Sequence, residues 1–365
     1  MINLDFMPSK SLALYLARLF LTRTLAVLVL LVMVLMTLDL LGESGKILAV
    51  PGNGEAELWR YVTLRVPLLI QRFLPFSALL GTLIAFTALN QHSEVIAMKA
   101  AGLSAHQVLA PLIVASLGIA VIAFAFNEGV AVNSARMVNA WDENDYRPIR
   151  ASSGVVSNVW VKAGDDLAHA RIVSGRGSSL QLQGVTIYDR TGGVLERVTN
   201  AETAVQAGGA WKLENVRTYD TSMNVVRRTS QALAMPGITP DRFTLAKVNP
   251  DEVDFLDLQR DIADLEAAGR PTEEARAGLW HKISGPLSIV LMPLLAAIAA
   301  FGLARSGQVL LRAAAGMALG FAYFVVDNLS LALGNVGAYP AWLAAWAPFV
   351  LFLLIGEAVL VRSEE

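Results

Sequence analysis

Residues 179–205 read SLQLQGVTIYDRTGGVLERVTNAETAV. Apolar and polar residues alternate, and the run is interrupted at Arg190-Thr191-Gly192-Gly193. Period-two patterning around a glycine turn signals antiparallel strands with one face buried. The same texture recurs on either side, in GVVSNVWVKAGDDLAHARIV (154–173) and AWKLENVRTYDT (210–221). About eight to ten short strands between 150 and 248 are expected, as a β-sandwich or open jelly roll. What lies on both flanks is different in kind, and the contrast decides the fold.

Outward from this region the chain turns apolar. It is 55% hydrophobic and only 16% charged over 365 residues, where a soluble domain carries about 25% charge. A membrane-crossing helix needs ~20 mainly apolar residues. Six such runs occur, at roughly 12–41, 61–89, 105–128, 280–304, 309–334 and 340–361. The first is too long for a cleavable signal and is expected to stay as a membrane helix. The expected fold class is a polytopic α-helical membrane protein with six transmembrane helices and an inserted all-β, jelly-roll-like domain. Its expected divisions are 1–128, 129–278 with a helical connector, and 279–365. Asp251 is a candidate cap for the connector helix.

Net charge is −2, which offers no basic field for nucleic acid, and the sequence has no cysteine. That removes disulfides and thiolate metal sites. GESGKI (42–47) is not a phosphate loop, because Leu40 and Ile47 stand where Gly and Ser or Thr are required. His92, His106, His169 and His281 are scattered without ligand spacing. No catalytic residue and no metal site is expected. Lys and Arg near span ends place both termini in the cytoplasm, with Lys10, Arg18, Arg23, Lys99, Arg305, Arg312 and Arg362 inside. The β domain then lies outside the membrane.

Between the second and third spans stands QHSEVIAMKAAGLSAHQV (91–108). A short helix near 92–103 is expected, capped by Ser93, with Glu94 in its first turn where the helix dipole favours acid. Val95, Met98 and Ala101 or Gly102 form an apolar strip, and Lys99 lies beside it. This is either a stable interfacial turn or a rigid projection that docks in a soluble motor. The second reading accounts for transporter-like spans in a chain with no nucleotide site. An ionisable residue within a span is a functional candidate, which singles out Asp327 and Asp39. Asp327 also fits a place at the outer end of its helix, within reach of water.

LPFSALLGTLIAFTALNQHSEVIAMKAAGLS (74–104) resembles the signature of the LptF/LptG family of lipopolysaccharide export permeases. HKISGPLSIVLMPLLAAIAAFGLARSGQ (281–308) and RAAAGMALGFAYFVVDNLSLALGNVGAYPAWLAAWAPFVLF (312–352) match it too. The likeness covers nearly the whole chain and is loosest in the β region. It is nearer the LptG than the LptF type, and the LptF type stays open as an alternative. The resemblance implies an inner-membrane subunit of a Gram-negative ABC-type exporter, with its β domain in the periplasm. The implied partners are an LptF-type permease forming the heterodimer, an LptB ATPase dimer, LptC and the LptA bridge. No cofactor binds this chain directly; ATP and Mg are used by the ATPase. Ser93, Glu94, Val95, Met98, Lys99 and Gly102 would form the ATPase-docking helix, with Glu94 on a basic partner residue. The first and fifth spans would form lateral gates. A cavity for acyl chains would involve Met33, Met36, Asp39, Phe73, Phe76, Leu80, Phe321, Phe324, Val325 and Asp327. Lys46, Arg60 and Arg136 are the headgroup candidates. They are fewer than the family's usual set, which implies a lipid with fewer phosphates, or one held by its acyl chains and bridging divalent cations. The β domain is expected to be an acyl-chain conduit, not a sugar site, with Val155 or Val156, then Val159 or Trp160, in its inward row. A secondary transporter and a membrane-anchored interaction module remain the other classes. The first should show broken helices around a buried ion site, and no such pair of interruptions is evident; the second leaves the 92–103 helix unexplained.

Overall fold

The computed structural model describes residues 7–148, 156–163, 165–175, 180–191, 193–222, 224–240, 243, 248–267, 271–301 and 309–364. Helices α1 (Lys10–Ala49), α2 (Glu55–Gln91), α3 (Glu94–Ala100), α4 (Ala105–Phe126) and α5 (Val132–Glu143) come first. Strands β1 (Val156–Ala163), β2 (Asp166–Ser174), β3 (Gln181–Thr191), β4 (Val194–Ala207), β5 (Ala210–Tyr219) and β6 (Val225–Ala234) follow. A 3₁₀ turn (Pro250–Glu252) then leads to α6 (Phe255–Ala267), α7 (Glu273–Phe301), α8 (Val309–Asn335) and α9 (Ala341–Glu364). Six helical stretches among the described residues are long and apolar enough to cross a membrane, and the β domain sits between the third and fourth.

The first three spans are longer than a bilayer requires. At 1.5 Å per residue the 37 residues of α2 reach about 55 Å, against ~30 Å of hydrocarbon. The third span does not end at 128. It passes through a π turn, Asn127–Ala131, and continues as α5 to Glu143. Hydropathy falls there, but Val132, Ala135, Val138 and Trp141 keep helical spacing and are buried. Val138, Trp141 and Tyr146 form an outer core with Tyr61, Leu69, Leu28 and Met36 from α2 and α1. The main membrane core lies below, where Phe20, Phe86, Leu109, Leu295 and Tyr323 meet.

The inserted domain is antiparallel, as expected, but has six strands among the described residues, not eight to ten. The strands are 8 to 14 residues long, so fewer are needed to span the alternating region. They pair in sequence order, β1 to β6. Val159 on β1 aligns with Ala170, Val185 and Ala201 on the next three strands, and all four are buried. The chain after β6 folds back over this face. Trp211 Nε1–H donates to the Ile238 carbonyl at 2.9 Å, and the Trp211 ring meets Phe243 edge-on at 5.0 Å.

The joint between domain and membrane is polar and specific. Arg136 on α5 donates from Nε and Nη2 to the Glu252 carbonyl at 3.0 and 2.8 Å. Asn139 and Asn249 both donate to Glu252 Oε1. Burial pushes the Glu252 carboxyl up, and the two amides oppose that shift. Asp251 does not cap the connector helix. Residues 250–252 close a separate 3₁₀ turn, and Asp254 Oδ1 accepts from Asp257 N–H at 2.8 Å instead.

Candidate functional site

The seven-residue α3 is fixed at both ends by backbone geometry. Ser93 precedes it in the left-handed region (φ 56) and makes no side-chain cap. The expected Ser93 cap is therefore wrong, because the chain must reverse direction within two residues of the end of α2. At the other end Gly102 (φ 85) is left-handed. Gly102 N–H bonds the Lys99 carbonyl and Leu103 N–H bonds that of Met98, the paired closure that favours glycine. Ser104 then caps α4, accepting from Gln107 N–H at 3.2 Å.

The apolar strip of α3 points inward. Val95 and Met98 are buried in the membrane core, whereas Ala101 and Gly102 are exposed. Glu94 is held within the chain, accepting a hydrogen bond from Tyr15 Oη at 3.0 Å. The outward face instead carries Ile96, 67% exposed, with Ala97, Lys99 and Ala100 around it. Neither Ile96 nor Tyr15 was singled out from sequence. An isoleucine next to a buried valine has no distinguishing pattern over one helical turn.

The cavity candidates divide into three groups. Met33 and Met36 line an apolar cleft of about 540 Å³ between the outer halves of α1 and α2, with Leu28, Val32, Val66 and Ile70. Phe76 and Phe324 meet at 6.1 Å and join α2 to α8. Leu80 packs against the same core and Phe73 against the outer one. Phe321 and Val325 are 63% and 50% exposed on the outward face of α8, together with Leu329. On α1, Leu25, Val29, Leu30 and Met33 form a similar uncovered face.

The two carboxylates do not join that cavity. Asp39 binds Arg65 at 2.9 Å and Tyr61 Oη at 2.8 Å, neutralised between α1 and α2. Asp327 is buried on the inward face of α8, with Oδ2 at 3.9 Å from His281 Nε2 on α7. It points away from Phe321 and Val325 because, at 3.6 residues per turn, it lies roughly 120° and 160° around the helix from them.

None of the headgroup cations projects alone into a mouth. Lys46 pairs with Glu43 at 2.9 Å. Arg60 lies 5.0 Å above the Trp141 ring. Arg136 is spent on the Glu252 carbonyl, a structural tie and not a headgroup contact. In the β domain, Val155 lies outside the described residues. Val159 is inward and fully buried, but Trp160 is on the opposite face and 49% exposed. Adjacent strand residues cannot share a face, so of the two alternatives Val159 takes the inward row, with Val161, and Trp160 does not.

A bundle of six membrane-crossing helices, long helical extensions carrying an inserted β sheet, and an apolar cleft between the first two spans together define an integral-membrane permease scaffold. The chain matches the family "Lipopolysaccharide export system permease LptF/LptG" over residues 14–362, and belongs to it. It is 28% identical to the lipopolysaccharide export system permease protein LptG of Escherichia coli strain K12 over 313 residues, covering 83% of this chain and 85% of that one. It is 26% identical to LptG of Haemophilus influenzae over 327 residues, covering 86% and 89%. The protein is thus a lipopolysaccharide export permease of the inner membrane.

Proposed function

We propose that the chain is the LptG-type subunit of an ABC-type exporter. In this reading it pairs with an LptF-type permease above an LptB ATPase dimer, with LptC and the LptA bridge as further partners. It extracts lipopolysaccharide from the outer leaflet of the inner membrane and passes it to the periplasm, driven by ATP and Mg consumed in the ATPase. The uncovered apolar faces of α1 and α8 suit subunit contacts and lateral gates. Exposed Trp59 and Trp342 lie at the β-domain ends of α2 and α9, where an aromatic belt belongs. The basic residues Lys10, Arg18, Arg23 and Lys99 gather at the opposite end. Both features support a periplasmic β domain and cytoplasmic termini.

The observation that carries the coupling role is the exposed Ile96 on a helix locked by Val95 and Met98. A two-turn helix anchored to the bundle core can pass a push from a partner to α2 and α4 without flexing. Buried apolar anchors at interface centres are worth about 2 kcal/mol or more. Ile96→Asp is expected to weaken ATPase association by more than tenfold and to reduce lipid release in proportion. Glu94→Gln, which keeps an acceptor for Tyr15, is expected to do much less. Pull-down and reconstituted release assays measure both. Wild-type ATPase recovery with Ile96→Asp would remove α3 as the docking element.

A further inference from the structure

The outer face of the β sheet carries a line of side chains that the conduit reading does not use. Across the six strands the register aligns Trp160, His169, Thr186, Asn200, Arg217 and Arg228. At ~4.8 Å per strand this line is about 24 Å long. It begins in aromatic rings. Trp160 stacks on His169 at 4.5 Å and on Tyr188 at 5.7 Å, with interplanar angles of 34° and 19°. The indole is still 49% exposed although it touches both rings.

The far end is cationic. Arg217 and Arg228 are exposed and directly opposite each other on β5 and β6. Like charges in directly opposed positions destabilise a sheet, and an anion between them reverses the sign of that term. Arg171 adds a third guanidinium, two residues along from His169. It lies across β3 at Gly184, where a Cβ would come within 3.3 Å of Arg171 Nε. The glycine makes room for it. Burial and the nearby Arg171 charge hold the His169 imidazole below its usual range, so it stacks as the neutral ring. Two carboxylates border this face on β4: Glu202, which accepts from Asn215 at 2.7 Å, and exposed Glu196, four residues before Asn200.

We propose that this line binds an anionic oligosaccharide, the non-lipid part of the exported molecule, with a pyranose ring on Trp160 and a phosphate or carboxylate between Arg217 and Arg228. The identification of the occupant rests on the export reading above. Three facts converge on it. The C–H face of a pyranose is apolar and faintly positive, matching the negative face of an indole. Paired guanidinium groups bind phosphate and carboxylate with bidentate geometry. The cations at the membrane mouth are engaged by Glu43, Trp141 and the Glu252 carbonyl, whereas this face sets out three arginines beside an open ring. The inward row through Val159, Ala170, Val185 and Ala201 has no polar side chain to offer a sugar. The buried face remains the apolar one, and the two faces divide the amphiphile between them.

The test uses the full chain in lipid nanodiscs and lipid-free, phosphorylated core oligosaccharide released from lipopolysaccharide by mild acid. Saturable binding by calorimetry is expected. Trp160→Ala should weaken it roughly tenfold and Trp160→Phe much less. Arg217→Gln and Arg228→Gln should erase the preference over the phosphatase-treated oligosaccharide. In the assembled exporter, Trp160→Ala should slow release of full-length lipopolysaccharide but not of lipid lacking its outer sugars. Absence of saturable binding, equal competition by inorganic phosphate, or equal slowing of both lipids overturns the proposal. Those outcomes leave the export reading intact. That reading fails separately, if the wild-type chain neither recruits an ATPase nor supports lipid release.

Discussion

Lys282→Met is expected to destabilise the protein by about 3–5 kcal/mol, the cost of leaving a buried carboxylate without its counter-charge. The Lys282 side chain is 6% exposed and Glu128 18%, and Nζ lies 3.0 Å from Oε1. Glu128 does more than pair. Its Oε1 accepts from Asn127 Nδ2 at 3.1 Å, and its Oε2 accepts from Phe255 N–H at the start of α6. One carboxylate thus ties the third span, the connector helix and α7. It can do so because the π turn Asn127–Ala131 inserts an extra residue and re-aims the side chain, a use for which such turns are known. The double variant Glu128→Gln/Lys282→Met removes both charges and is expected to recover most of the loss. Denaturant unfolding of the four proteins in nanodiscs, read as a double-mutant cycle, measures the coupling. A wild-type midpoint for Lys282→Met would show that the pair adds nothing. Lipid release should fall with the single variant, because the tie fixes the third and fourth spans to the connector that leads from the β domain.

Much of this architecture is written in hydropathy. Runs of ~20 apolar residues can do little except cross a bilayer, and strict alternation around Thr191-Gly192-Gly193 leaves strands as the economical reading. The α3 helix was legible for the same reason, since Val95 and Met98 recur at helical spacing between two spans. The illegible parts depend on partners distant in sequence. Asp39 reads as a charge stranded in a span, yet Arg65 and Tyr61 reach it from the next helix. Arg136 reads as a spare cation, yet its acceptor is a carbonyl 116 residues later. The third span outlasts its apolar run because a helix leaving the membrane keeps its amphipathic spacing while its mean hydropathy falls. In VSNVWV (156–161) valines fall on both parities, so the inward row could not be phased until the register placed Val159 against Ala170. Nothing local marks Trp160 and Arg228 as members of one line.

Gly81→Leu should displace α1 from α2 and stop lipid release while the chain still inserts. Without a driving force between apolar helices and lipid, close helix pairs depend on small residues that let backbones touch. Gly81 is such a point: a Cβ there would lie 2.5 Å from Thr24 Oγ1 and 2.7 Å from Thr24 Cα and N. Thr24 is buried at 1% exposure. Farther out, an apolar cleft opens between the same two helices from Leu28 to Leu40, and the Asp39–Arg65 and Asp39–Tyr61 bonds join them at its outer end. If α1 acts as the lateral gate proposed above, the close contact at Gly81 is its inner pivot and the Asp39 bonds are the outer latch that must release. Overpacking of this kind costs about 1–3 kcal/mol, and the displacement falls on the helix proposed as a gate. Thr24→Ala is the informative companion. If crowding came from the hydroxyl, Thr24→Ala would rescue Gly81→Ala. Because Thr24 Cα and N are nearly as close, at 2.7 Å, no rescue is expected. With no native cysteine in the chain, spin labels on introduced cysteines in the inner halves of α1 and α2 read the separation without background. An unchanged distance in Gly81→Leu, with normal release, would show that the two helices are not hinged at this contact.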